Sequence, residues 1–174
     1  GTYNFDAGSA VPGSVVVNRG DISVAEGGMV AFVAPGVGNF GSIGANLGRV
    51  ALASGDAFSF DFYGDQLVNL TVGVDEVGSL TAADGTSLDA RIVQAGNVTA
   101  DGGRVQLSVK SARSLVDNSI NMSGVIQART VSEQGGSIVL GGGDSGNVLV
   151  SGALDASGLD SGQVGGSVKV LGHL

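Results

Sequence analysis

The chain of 174 residues has no cysteine, no tryptophan, two prolines and one histidine, His173. Without thiols there is no disulfide framework and no thiolate metal site, and with the single histidine at terminal position 173 no Ser-His-Asp triad is expected. Basic residues are scarce too: eight Lys and Arg stand singly against sixteen Asp and Glu, giving a formal net charge of −8. Nothing forms the basic stripe that nucleic acid or an anionic membrane surface requires, so neither is an expected partner. No apolar run approaches the ~18 residues of a membrane span, so membrane insertion is not expected. The opening segment, GTYNFDAGSAVPG, lacks the basic and apolar regions of a secretory leader. The expectation is a leader already removed, or a piece of a longer chain.

Glycine is plentiful, at 32 residues, yet proline is rare and there is no G-X-Y period, so collagen is excluded. A hydrophobic fraction of 43% also argues against disorder. The apolar residues are mostly Val, Leu, Ile and Ala in short runs such as SVVVN, SIVLG, NVLVSG and SVKVLG, each bounded by Gly, Asn, Asp or Ser. Short strands between tight turns have this composition. Only SARSLVDNSI has fair helical spacing. The expected class is all-β, as a single domain over 1–174.

An internal repeat makes the class more specific. The pattern Gly-x-[Ile/Leu/Val]-x-[Ala/Val] occurs as GDISV at 20, GSIGA at 41, GSLTA at 78, GNVTA at 96, GVIQA at 124 and GALDA at 152, with starts 21, 37, 18, 28 and 28 residues apart. A second pattern, Gly-x-[Val/Ile]-x-[Leu/Phe/Val], follows most of these as GMVAF at 28, GRVAL at 48, GRVQL at 103, GSIVL at 136 and GSVKV at 166, with an additional GNVLV at 146. Apolar residues at alternate positions share one strand face. The predicted core is Ile22, Val24, Ile43, Val50, Leu52, Val98, Val105, Leu107, Ile126, Ile138, Leu140, Leu154 and Val168.

A unit of this length cannot close a core alone, but stacked units let each strand pair in parallel with its copies above and below. The expectation is a parallel β-helix of about six or seven rungs, roughly 30–35 Å long at ~4.8 Å per rung. Gly20, Gly41, Gly78, Gly96, Gly124 and Gly152 become its corner glycines, where positive φ or close backbone approach favours Gly. Asn18, Asn39 and Asn147 lie at or beside corners, where their side chains can hydrogen-bond along a ladder. The long gap before Gly78 holds AFSFDFYGDQLVNLTV, two alternating strands around YGDQ, predicting a hairpin insertion near 57–72. Further insertions are expected within RTVSEQ (129–134), SGLDSGQV (157–164) and SARSLVDNSINM (111–122). The ends of such a rod carry unpaired strand edges, which invite further rungs or self-association, end to end or side by side.

Three stretches, GNFGSIGANLGRVALASGD, FDFYGDQLVNLTV and GVIQARTVSEQGGSIVLGGGDSGNVLVSGALDASGLDSGQVGGSVKVLG, carry a resemblance. In order and spacing they resemble the haemagglutinin-repeat rod of filamentous haemagglutinin-type exoproteins, over about residues 15–172. These are large secreted or surface adhesins of Gram-negative bacteria exported by two-partner secretion. The resemblance implies a right-handed β-helix, export through a dedicated outer-membrane transporter, and a location outside the cell. The absence of cysteine is compatible with crossing an oxidising periplasm. One departure is that neither Pro12 nor Pro35 lies in the Asn-Pro-Asn motif usual in the family's secretion domain, so the segment reads as rod following that domain.

Several sharper sites compete with plain structural readings. Arg19-Gly20-Asp21 spells a tripeptide recognised by adhesion receptors of the integrin class, yet in the aligned patterns all three positions are an ordinary corner leading into a strand. Phe58, Phe60 and Phe62 alternate, placing them together either in a core or on a face that stacks on sugar rings. A polysaccharide-acting enzyme on the same architecture needs carboxylates clustered with a basic residue. The densest charged stretch, Asp84, Asp89, Arg91, Asp101 and Arg104, reads more simply as solvated corners; clustering of Asp61, Asp65 or Asp84 with an arginine would favour the enzyme. GGGDSGNVLV lacks the glycine spacing and tandem recurrence of calcium-binding β-rolls, so no calcium site is expected at Asp144. No catalytic residue, metal or cofactor is expected. The functional expectation is a non-enzymatic structural segment of an adhesin, or alternatively a module that itself binds a host or matrix glycan or receptor through the 57–72 hairpin, the loops at 129–134 and 157–164, or the tripeptide.

Overall fold

The computed structural model of the chain describes residues 2–5, 13–55, 57–61, 68–71, 80–109, 118–143 and 146–172. All regular structure among them is β, and three parallel sheets of five strands each carry the fold. The first sheet comprises β2 (Val15–Asn18), β5 (Gly36–Asn39), β12 (Ala90–Gln94), β15 (Asn118–Met122) and β18 (Val148–Val150). The second comprises β3 (Asp21–Ser23), β6 (Ser42–Gly44), β13 (Asn97–Thr99), β16 (Val125–Gln127) and β19 (Ala153–Asp155). The third comprises β4 (Met29–Ala34), β7 (Arg49–Ser54), β14 (Arg104–Val109), β17 (Ser137–Gly141) and β20 (Ser167–Leu171). The chain visits the three sheets in turn, five times among the described residues, a layout compatible with a β-helix or solenoid.

In-register pairing turns the sequence alternation into columns. Ile22, Ile43, Val98, Ile126 and Leu154 pair along the second sheet. Val30, Val50, Val105, Ile138 and Val168 pair along the third, with Phe32, Leu52, Leu107, Leu140 and Val170 two positions on. Ile43, Val50, Leu52, Val98, Val105, Leu107, Ile126, Ile138 and Leu140 are buried in one cluster, while Ile22, Val24 and Leu154 pack against it half-buried. Each fully buried side chain of this size contributes about 1.5–3 kcal/mol relative to exposure. Val168 departs from the expected core: it is 44% exposed, because no described strand pairs beyond β20 to cover it.

Corner glycines are explained by close approach. A Cβ at Gly41, Gly96, Gly124 or Gly152 would lie 2.0–2.1 Å from the carbonyl oxygen of the corner glycine one pass earlier. None of these four has positive φ. Gly78 lies outside the described residues, and the pattern it opens is not a further pass. Leu80–Thr81 (β10) instead pairs antiparallel with Ser87–Leu88 (β11). That small hairpin closes through a turn with Gly85 at φ 84°, and its Leu80 and Leu88 pack with Val15, Phe40, Ala90 and Val93 outside the main core. Gly36 and Gly38 make the seat: a Cβ there would lie 3.1 and 3.2 Å from Leu80 and Leu88.

The insertion near 57–72 contains β8 (Ala57–Asp61) and β9 (Val68–Thr71), paired antiparallel, with β1 (Thr2–Phe5) on the other side of β8. The YGDQ turn and Phe62 lie outside the described residues, as does 111–117 of the expected insertion before β15. Ala51 and Ala53, which face away from the core, are buried, and β9 lies beside β7 at this level.

A polar ladder runs inside the apolar columns. Asn18 Nδ2 donates to Asn39 Oδ1 at 2.8 Å, Asn39 Nδ2 to Gln94 Oε1 at 2.8 Å, and Gln94 Nε2 to the Gly96 carbonyl at 2.9 Å. All three amides are buried, so each bond prevents a desolvated group from going unpaired. Met122 and then Val150 continue the column without polar atoms. Asn147 contributes its backbone carbonyl, which accepts from Ser119 and Ile120. Asn39→Ala removes both an acceptor and a donor from the middle of the ladder. The expected loss is about 2–4 kcal/mol, read as a lower urea midpoint at unchanged slope.

Candidate functional site

The Arg19-Gly20-Asp21 corner is built by two elements. Asn18 ends β2 with its side chain in the interior and accepts from Gly20 N at 3.1 Å, which tightens the corner. Asp21 then opens β3 opposite Ser42. Arg19 does not project freely: its Nε donates to Asp84 Oδ2 at 3.0 Å, Nη2 donates to Thr86 Oγ1, and the guanidinium lies 5.1 Å from the centre of the Phe40 ring. The β10–β11 turn supplies Asp84 and Thr86, so the hairpin seated on the outer face also clasps the tripeptide. Asp84 is held at about 2, mainly by the Thr86 hydroxyl and amide and then by Arg19.

The charged stretch does not gather into an acid–base site among the described residues. Asp84 is engaged by Arg19 and Thr86. Asp89 accepts from Asn121 Nδ2 at 3.2 Å. Arg91 is buried and reaches the Pro35 carbonyl at 3.4 Å. Arg104 stands at the start of β14, opposite Arg49. The side chain of Asp61 and all of Asp65, Asp144 and His173 lie outside the described residues. Among the described residues, no group of three or more His, Asp or Glu side chains comes together to hold a metal ion.

Asp101 overturns its reading as a solvated corner. It is buried, and its carboxylate accepts from Arg129 N at 2.9 Å, Nε at 3.1 Å and Nη2 at 2.6 Å. This forked geometry fixes Arg129 in plane with the carboxylate. The two residues are 28 apart, the distance between Gly96 and Gly124, so the spacing of the repeat carried this pair. Hydrogen bonding by Arg129 holds the Asp101 carboxyl below its usual range, and Asp101 in turn raises Arg129. Because the folded-state value of Asp101 is depressed, its contribution to stability is present above the ordinary carboxylate pKa of ~3.9 and disappears as pH falls towards the folded-state value. Asp101→Asn is expected to flatten the decline in melting temperature below pH 4 and leave Arg129 with a weaker partner at pH 7. A decline as steep as that of the wild type would show that other carboxylates govern acid unfolding.

Arg129 also begins the first of two loops that rest on each other. Thr130 bridges to Gly158 in parallel, Val131 and Gln134 exchange backbone hydrogen bonds, and Gln163 Nε2 donates to the Ser132 carbonyl at 2.5 Å. Gln163 Oε1 accepts from Leu159 N and Asp160 N, so one glutamine closes its own loop and fastens it to its neighbour. Glu133 and Asp160 remain exposed on this ledge. Gln94 and Gln163 are the polar residues that sequence reasoning missed. Gln94 was accessible through position, since it precedes Gly96 by two, as Asn18 and Asn39 precede Gly20 and Gly41.

No family model matches the chain, and neither a curated protein nor a solved structure matches it.

Proposed function

We propose that this chain is a non-enzymatic structural segment of a large secreted or surface adhesin of a Gram-negative bacterium, a right-handed parallel β-helix that holds a more distal binding region away from the cell. The observation that carries this reading is the use made of its polar and charged residues: the amide ladder, the Asp101–Arg129 pair and the Arg19–Asp84 clasp all tie one part of the frame to another. Export through an outer-membrane two-partner secretion transporter, and folding outside the cell, belong to the same proposal and derive from the sequence resemblance.

A second reading is favoured by the ledge formed by 129–134 and 157–164. Two loops fastened together outside the columns and carrying exposed acidic side chains give a defined surface for a glycan or receptor. The test is binding of the purified chain to cultured epithelial cells and to a glycan array, with Asp21→Glu and a deletion of 129–134 beside the wild type. The spacer reading expects no saturable binding from a chain shown to be folded by circular dichroism. Saturable binding lost on the deletion would move the assignment to the ledge, and loss with Asp21→Glu would move it to the tripeptide.

A further inference from the structure

Asparagine is disfavoured in strands, because its amide competes for the bonds that the backbone ladder needs. Where this fold uses it, the side chain has a bond to make. Asn18 and Asn39 carry the interior ladder, Asn46 Oδ1 accepts from Asp101 N at 3.3 Å, and Asn121 Nδ2 donates to Asp89 at 3.2 Å. Asn147 is engaged as well. Asn97 is the exception. It opens β13 between Ser42 and Val125 of the neighbouring strands, and its backbone amide donates to the Gly41 carbonyl. Its side chain is exposed and makes no hydrogen bond among the described residues, while the next residue, Val98, is fully buried. Packing and hydrogen bonding within the stack therefore give no reason for an asparagine at this position.

Two residues on, Thr99 shares the outward face and is half-buried. Asn97-Val98-Thr99 is thus an Asn-x-Thr sequence without proline at x, the acceptor pattern of N-linked glycosylation. The pattern occurs twice more, as Asn121-Met122-Ser123 and Asn69-Leu70-Thr71, so position has to decide among the three. The side chains of residues 69–71 lie outside the described residues. At Asn121 the nitrogen that would take a sugar is held by Asp89, and Oδ1 is buried. At Asn97 the amide points outward, and the positions around it on the same face include only small residues at Ser42, Gly44 and Ala153. Strands pair with β13 on both sides, so this exposure belongs to the outer face of the second sheet and not to an end of the stack.

We infer that Asn97 is an attachment site for an N-linked sugar, taken from a donor activated as a diphosphate ester at its anomeric carbon. In the transfer the bond from Asn97 Nδ2 to the anomeric carbon forms, and the bond from that carbon to the diphosphate oxygen breaks. The electron pair leaves with the diphosphate, and one amide proton goes to a base of the transferase; nothing is oxidised or reduced. Because the backbone of β13 is bonded on both sides, it cannot enter an enzyme's cleft as part of the sheet, so transfer precedes folding. The fold then selects what it can carry. A bulky, solvated sugar on Asn97 stands clear of the core, whereas one on Asn121 breaks the bond to Asp89 and crowds a buried oxygen. The inference goes beyond the spacer reading and holds whether or not the chain binds a receptor.

Peptide mass spectrometry of the folded protein, recovered from the organism that makes it and then denatured, tests this. Trypsin cuts after Arg91 and Arg104, releasing a peptide of residues 92–104 in which Asn97 is the sole asparagine, and separately a peptide of residues 114–129 that contains Asn121. The 92–104 peptide is expected to be heavier by a whole number of sugar residues, and the 114–129 peptide to have its unmodified mass. Made in the same organism, Asn97→Gln and Thr99→Ala are each expected to lose the increment and Thr99→Ser to keep it. An unmodified 92–104 peptide overturns the inference. So does an increment that survives Asn97→Gln, which would place the sugar on another residue, or one that survives Thr99→Ala, or a sugar found on 114–129 in the folded protein.

Discussion

Val105→Asp and Ile138→Asp are expected to abolish the cooperative thermal transition, while Val168→Asp, in the same column, leaves it within about a degree or two of wild type. Val105 and Ile138 face each other on adjacent strands and have no exposed surface. Substitution forfeits the ~1.5–3 kcal/mol of apolar burial and places a carboxylate where no cation can reach it, a penalty of several kcal/mol. The total rivals the 5–15 kcal/mol by which a domain of this size is stable. In a stack, a failed pass also uncovers its two neighbours, so the loss spreads beyond the mutated strand. Val168 has water on one side and can keep its charge solvated. Melting followed by circular dichroism distinguishes the cases, and a normal transition in Val105→Asp would contradict the inward assignment of the whole column.

Gly96→Ala is expected to be nearly as damaging although it adds one methyl group. The new Cβ would lie 2.0 Å from the Gly41 carbonyl oxygen, with backbone atoms of residues 40 and 41 at 2.8 and 2.9 Å. Backbone held in a parallel ladder on both sides cannot swing away as a flexible side chain can. The two passes must separate, disturbing the Asn97 N to Gly41 O bond and the burial around it. A cost at or above the ~1–3 kcal/mol usual for overpacking is expected. Gly20→Ala, at the equivalent corner of the first pass, where the nearest described atom to such a Cβ is 4.0 Å away, is expected to change stability by less than ~0.5 kcal/mol. Urea unfolding of the pair measures the difference, and equal effects would show that the corners tolerate Cβ by relaxing.

The columns were legible because parallel pairing preserves sequence register: equal spacing from Gly96 to Gly124 and from Gly124 to Gly152 is the pairing itself. Where spacing was irregular, the same five-residue pattern misled. GSLTA has the required alternation, but period two describes any half-buried strand and cannot distinguish a parallel neighbour 28 residues away from an antiparallel one such as Leu88, paired with Leu80. Only the seat made by Gly36 and Gly38 shows that Leu80 belongs outside the columns. Asp101 was misread for a related reason: composition places a charged residue in solvent, and its partner is adjacent only once the passes are stacked. The tripeptide was legible as a corner, but not the clasp on Arg19, whose partner comes from a hairpin with no counterpart in the repeat.

The orientation of the ladders has a mechanical consequence. Strands run across the stack, so the hydrogen bonds between passes point along it, and a pull on the two termini loads one edge strand at a time instead of shearing many bonds together. Each 28-residue pass that peels away frees up to roughly 90–100 Å of extended chain in exchange for a single strand spacing. Under tension such a stack would yield in discrete, length-gaining steps, acting as a shock absorber whose step size is written in the interval between its corner glycines.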